Sequence, residues 1–174
     1  LQAIATLIAE YPSAAMFGTA YRLSREAPRL DTGYTEKSIR DNSGLVCDFF
    51  AKWKQGPFFS TSSVCIRRSI FSADSIAFPL GENLGEDQDV WFRIAERYPV
   101  AFCDLPLAVY RVDVVDSLTF SRPVLHVLPV FSRLYQRAHA GPYPPVLRQS
   151  AFALVSRQCI NVSRSRLYHG NRVG

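Results

Sequence analysis

Apolar residues along this chain fall into two alternating patterns, one at helical spacing and one in short unbroken runs, and their alternation predicts an α/β protein. Residues 1–10 read as a helix already in progress, ended by Tyr11-Pro12 because proline disfavours helix in the residue before it. Residues 14–23 have the apolar and aromatic content of a buried strand, and the stretch from Pro28 to Gly33 supplies breakers. Residues 45–53 carry apolar positions at helical spacing, closed by Gly56-Pro57. Phe49, Phe50 and Trp53 in that helix are expected in the core, with an aromatic binding platform as the alternative. Residues 60–66 read as a hydroxyl-rich strand, followed by a short helix after Arg67 and Arg68. Residues 100–111 are strand material that Pro106 confines to an edge or interrupts. Beyond Pro123 the pattern is helical, over residues 124–140 and 145–168, separated by Gly141-Pro142-Tyr143-Pro144-Pro145. Packing on the rest of the chain is the first expectation for these amphipathic helices, and docking on a membrane or partner is the alternative.

The segment richest in chemistry is Gly81-Glu82-Asn83-Leu84-Gly85-Glu86-Asp87-Gln88-Asp89-Val90-Trp91-Phe92-Arg93-Ile94-Ala95. A glycine-punctuated loop enters an apolar helical run through acidic residues, which the dipole and free N–H groups of a helix N-terminus favour. Val90 and Ile94 share a face with Asp87, so the helix buries that side with Asp87 at its rim. Asp89 and Arg93 are spaced for an exposed i,i+4 pair worth about 0.2–0.5 kcal/mol. Asp87-Gln88-Asp89 is literally Asp-x-Asp, yet residues two apart on a helix diverge by roughly 200° and cannot readily clasp one ion. His126, His139 and His169 match no metal-ligand spacing.

The run from Gly85 to Arg93 resembles the Gly-Glu-Asp-x-Asp-x-Trp-x-Arg signature of family 2 glycosyltransferases of the GT-A fold. Phe59-Ser60-Thr61-Ser62-Ser63-Val64-Cys65-Ile66-Arg67-Arg68 resembles that family's acceptor-side strand, and Tyr110-Arg111-Val112-Asp113 its closing Tyr-Arg-x-His. The resemblance covers residues 1–119. It implies a partial, Rossmann-like GT-A domain over residues 1–120, the acceptor-side half, with a C-terminal α-helical extension over 121–174. It further implies an inverting transfer of sugar from a nucleotide-sugar donor to the hydroxyl of a carbohydrate or lipid-linked acceptor. Asp87 would be the catalytic base and Glu86 would orient its loop. Ser62, Ser63, Arg67, Trp91, Arg93 and Arg111 would contact acceptor or donor. For several of these a plainer role competes: Trp91 in the core, Arg67 at a solvated helix start, Arg93 paired with Asp89. Asp113 stands where the family has a histidine, and its oxygen suits a hard cation. The implied Mg²⁺ or Mn²⁺ belongs mainly to an Asp-x-Asp expected upstream. With no initiator methionine and a helix already under way, the chain reads as cut from something longer. The rival expectation is a noncatalytic sugar-binding or protein-interaction module of the same descent.

Composition narrows the rest. With 48% hydrophobic and 20% charged residues the 174-residue chain has the make-up of a folded domain. A net charge of +5 suits anionic phosphates or an anionic membrane surface, but no run of basic residues marks a nucleic-acid arm. Cys47, Cys65, Cys103 and Cys159 form no Cys-x-x-Cys and are expected as buried free thiols, which favours a reducing compartment. No run of eighteen apolar residues exists. A cytoplasmic location follows as the expectation, with a peripheral position at the inner face of the membrane beside it.

Overall fold

The computed structural model describes residues 1–25, 33–73, 76–112, 114 and 124–170. Helix α1, Gln2–Glu10, leads into strand β1, Met16–Ser24. Helix α2, Glu36–Asp41, strand β2, Ser43–Leu45, and helix α3, Phe49–Gln55, follow. A 3₁₀ turn, Thr61–Ser63, opens onto strand β3, Val64–Ile66, and helix α4, Ser69–Ala73. Helix α5, Glu86–Ala95, strand β4, Val100–Arg111, and helices α6, Pro129–Ala140, and α7, Pro145–Gly170, complete the order. The four strands form one mixed sheet in the order β2-β4-β1-β3, with β1 and β4 parallel and the outer strands antiparallel to their neighbours. The chain is an α/β protein.

Period-two alternation splits the core between the two faces of the sheet. Met16, Val100 and Phe102 point to one side, where they meet Phe50 and Trp53 of α3, Val90, Trp91 and Phe92 of α5, and the buried residues of α6 and α7. Phe17, Ala101 and Cys103 point to the other, against Ala3 and Leu7 of α1 and Ile39 of α2. Aromatic rings dominate the larger side: Trp53 stacks on Phe49 at 5.5 Å and meets Trp91 edge-on at 5.5 Å. Gly18 lets β1 pass close beneath this cluster: a Cβ there would lie 3.0 Å from the Phe59 ring, which would have to shift by a few tenths of an ångström to admit it.

Several expectations change. The helix expected from residue 45 starts at Phe49, because Asp48 caps it by accepting from the Ala51 N–H at 2.9 Å. Residues 43–45 instead form β2 on the edge of β4. Pro106 interrupts as expected: the register of β4 against β1 slips on either side of its pairing with Ala20, beyond the point where β2 ends. Residues 60–63 are not strand. Their hydroxyls favour a turn, and the strand begins only at Val64. Among the cysteines only Cys103 is buried, while Cys47, Cys65 and Cys159 are exposed free thiols. The C-terminal helices pack on the α/β part, with Val130, Phe131, Leu134, Ala138, Ala151 and Leu154 inside the same cluster as Trp91 and Phe92.

Candidate active site

The loop before α5 sets the site. Gly85 is the N-cap residue at φ +81°, a left-handed conformation that glycine adopts without strain. A Cβ at Gly85 would also lie 3.1 Å from Val130 and 3.3 Å from Leu128, so the start of α6 rests directly on its backbone. From that turn, Glu86 and Asp87 enter the first turn of α5, in the position the sequence predicts for them. Asp87 faces a cleft of about 530 Å³ whose wall includes Ser60, the cap of the 3₁₀ turn, Thr61 and Ser62 within it, and Trp53 and Trp91. Thr61 donates its hydroxyl to Asp87 Oδ2 at 2.8 Å, and the Gln88 N–H donates to Oδ1 at 2.7 Å. A carboxylate oxygen accepts more than one donor, so Asp87 can take a further hydroxyl from the cleft. Glu86 lines the same cleft; its Oε2 is shielded from solvent and meets no donor among the described residues.

Tyr21 and Tyr110 form the opposite rim, their rings 6.1 Å apart. Burial first, and Tyr110 beside it, push the Tyr21 phenol above its ordinary pKa, so it stays protonated and donates to the Pro57 carbonyl at 3.2 Å. Tyr110 belongs to the closing Tyr110-Arg111 pair, of which the tyrosine rather than the arginine lines the cleft, while no sequence motif marks Tyr21.

The remaining candidates divide. Ser62 and Trp91 line the cleft with Asp87 and Glu86. Ser63 does not, because its buried hydroxyl accepts from the Ser60 N–H at 2.9 Å and closes a reciprocal cap with Ser60. Arg67 is drawn to the far end of the sheet, where it donates to the carbonyls of Ala14 at 2.7 Å and Pro12 at 3.0 Å and stacks over Phe17. Arg93 donates to the Ala77 carbonyl at 3.2 Å, outside the cleft lining. Arg111 ends β4 as an exposed residue next to Tyr110 and is not part of the lining either. Asp113 lies outside the described residues.

Asp89 departs furthest from expectation. The expected i,i+4 pair with Arg93 is present at 3.9 Å, but it is not an exposed one: Asp89 is buried beneath α6 and also accepts from Arg133 Nε at 3.0 Å and Arg137 Nη1 at 3.4 Å. Arg133 also grips Glu82 in the loop through two bonds of 2.6 and 2.9 Å, and Arg137 meets Glu96 at 2.9 Å. The loop and helix that present Asp87 are thus clamped from behind by two arginines of α6. Asp87 and Asp89 face opposite sides, which rules out the literal Asp-x-Asp as a single cation site. Among the described residues no group of three or more aspartate, glutamate, histidine or cysteine side chains is arranged to hold a metal ion.

Fold and site together define an α/β protein with an acidic helix N-terminus facing an aromatic- and hydroxyl-lined cleft. No family model, curated protein or solved structure matches the chain.

Proposed function

We propose that this chain is the acceptor-side half of an inverting, family 2-like glycosyltransferase, with Asp87 as its general base. One observation carries the reading: Asp87 stands at the start of α5 in a cleft beside three hydroxyl-bearing residues, with Trp53 and Trp91 in its wall. A sugar acceptor has the matching chemistry, hydroxyls for the polar wall and C–H faces for the aromatic one. In the reaction, the acceptor oxygen attacks the anomeric carbon of the donor while its proton passes to Asp87. The bond from that carbon to the nucleoside diphosphate breaks as the new one forms. General-base help of this kind is worth typically 10²–10⁴-fold and requires hydrogen-bond reach between base and hydroxyl. Glu86 Oε2 offers a second acceptor, since an unpaired shielded carboxylate oxygen gains from any ligand hydroxyl that reaches it. The donor diphosphate and its divalent cation would be held by an Asp-x-Asp half that these residues do not supply.

Both tryptophans of the chain, Trp53 and Trp91, line the cleft, so intrinsic fluorescence reports what enters it. Titration with free saccharides and glycosides should change that emission, and the isolated chain should transfer no sugar from a nucleotide-sugar. In a polypeptide carrying both halves, Asp87→Asn should leave acceptor binding in place and abolish most turnover. Full turnover by that variant would overturn the reading. A noncatalytic sugar-binding module is the second reading, favoured by the aromatic content of the lining: saccharide binding without transfer in any two-half polypeptide would establish it.

A further inference from the structure

The charge of the chain is unevenly divided. All 15 acidic residues fall before residue 117, and from residue 121 onward there are eight arginines with no aspartate or glutamate. Four of those arginines are used internally. Arg133 and Arg137 face Glu82, Asp89 and Glu96, Arg148 donates to the Gly141 carbonyl at 3.0 Å, and Arg166 donates to the Leu125 carbonyl. Arg157 and Arg164 are different. They sit two turns apart on the exposed side of α7, and they share with Lys54, near the end of α3, a groove of about 420 Å³. Among the described residues no carboxylate pairs with any of these three cations.

The same face of α7 also exposes three large apolar side chains. Ile160 lies between the two arginines at helical spacing, and Leu167 and Tyr168 follow within the next turn; they are 51%, 70% and 63% exposed, each over half open to solvent. Pairing this face with a second copy would set Arg157 and Arg164 against their own kind. A nucleic-acid backbone would satisfy the cations and leave Ile160 and Leu167 against charged phosphates. An anionic membrane surface satisfies both, with phosphates for the cations and the upper acyl layer for the apolar side chains, and tyrosine belongs at that boundary.

We propose that the outer face of α7, together with Lys54, docks the chain on an anionic membrane surface, with a lipid phosphate seated among Lys54, Arg157 and Arg164. No helix among the described residues is long and apolar enough to cross a membrane, so the contact is with the surface. The inference stands on charge and exposure and does not depend on the transferase reading. A hollow of about 250 Å³ lies between the two sites, sharing Trp53, Pro57 and Gln88 with the cleft and Lys54, Arg157 and Asn161 with the groove. On the transferase reading, the membrane-facing groove and the cleft of Asp87 are thus near neighbours.

The test is co-sedimentation of the full chain with phosphatidylcholine vesicles, with and without phosphatidylglycerol, at low and high salt. Binding should require the anionic lipid and weaken with salt. Each of Lys54→Ala, Arg157→Ala and Arg164→Ala should lower the partition about fivefold, and the three together about 100-fold. Ile160→Trp should add emission that shifts to the blue on anionic vesicles, a readout that stands even where the triple variant fails to fold. Absence of binding to anionic vesicles, equal binding to neutral ones, or full binding by a folded triple variant overturns the proposal. Release of the chain by inorganic phosphate at the headgroup concentration makes this a site for free anions and overturns it too. So does tighter binding to duplex DNA than to vesicles.

Discussion

Asp87 and Asp89 are both aspartates on one helix, yet their neighbours assign them opposite tasks. Among the described residues Asp87 accepts from a threonine hydroxyl and an amide, so Asp87→Asn keeps shape and polarity and should leave the melting temperature nearly unchanged. In a two-half enzyme it should lower kcat by roughly 10²–10⁴-fold with donor binding unaltered, because the base matters in the transition state. Asp89→Asn should do the reverse. It removes the buried charge facing Arg133 and Arg137, and should cost about 3 kcal/mol in chemical denaturation, the lower end for breaking a buried pair, since Arg133 keeps Glu82 and Arg137 keeps Glu96. A loss below about 1 kcal/mol would return Asp89 to the exposed pair with Arg93 that the sequence suggests. Residue roles were legible where their causes are local. The placement of Asp87 follows from glycine, acid and apolar spacing within a few residues. Asp89 answers to arginines 44 and 48 positions away, and Arg67 to carbonyls 53 and 55 away, which no local pattern encodes.

At the scale of elements, the presentation of Asp87 depends on α6 pressing on the loop before α5. Gly85→Ala should therefore destabilise by at least about 1–2 kcal/mol, since alanine must adopt the left-handed turn and its Cβ meets Val130. Hydrogen exchange at residues 82–86 should rise more in this variant than exchange in β1. The same seam sets a pH dependence. The Arg133 hydrogen bonds hold the Glu82 carboxyl below its ordinary 4.5, so its contribution is in place above that pH and is lost as pH falls through the lower folded value. Burial pushes Glu96 the other way, despite Arg137. The folded chain holds that proton longer, so stability falls as pH rises from 4.5 through the raised value. In thermal melts across pH, Glu82→Gln should flatten the strongly acid side and Glu96→Gln the mildly acid side. A pair of variants with identical profiles would refute this assignment. Helices α1 and α5 and strand β4 were legible from period and breakers. Strand β2 is not legible, because three residues carry no period, and the 3₁₀ turn reads as strand because serine and threonine serve both.

For the whole molecule the alternation of patterns implies the α/β class, and the amphipathic spacing beyond residue 123 implies helices packed on the rest of the chain, as they are; which residues they pack against it does not say. The amphipathic spacing of α6 marks an apolar face without naming what covers it; that partner is the aromatic cluster of α3 and α5, distant in sequence. The consequence is measurable. Val130, Phe131, Leu134 and Leu154 are all buried in that cluster, and at about 1.5–3 kcal/mol for each fully buried side chain they contribute roughly 6–12 kcal/mol. That is comparable to the entire stability of an ordinary domain, about 5–15 kcal/mol. Ending the chain at residue 123 should therefore abolish cooperative unfolding and expose Trp53 and Trp91 to solvent, seen as a red-shifted emission and a lost melting transition. The full chain, by contrast, should unfold in one step, with fluorescence and circular dichroism tracing the same curve. A truncated chain that still melted cooperatively would make residues 121–174 a separable appendage. The arginine clamp on Asp89 would then be an ornament of the surface rather than part of how Asp87 is held.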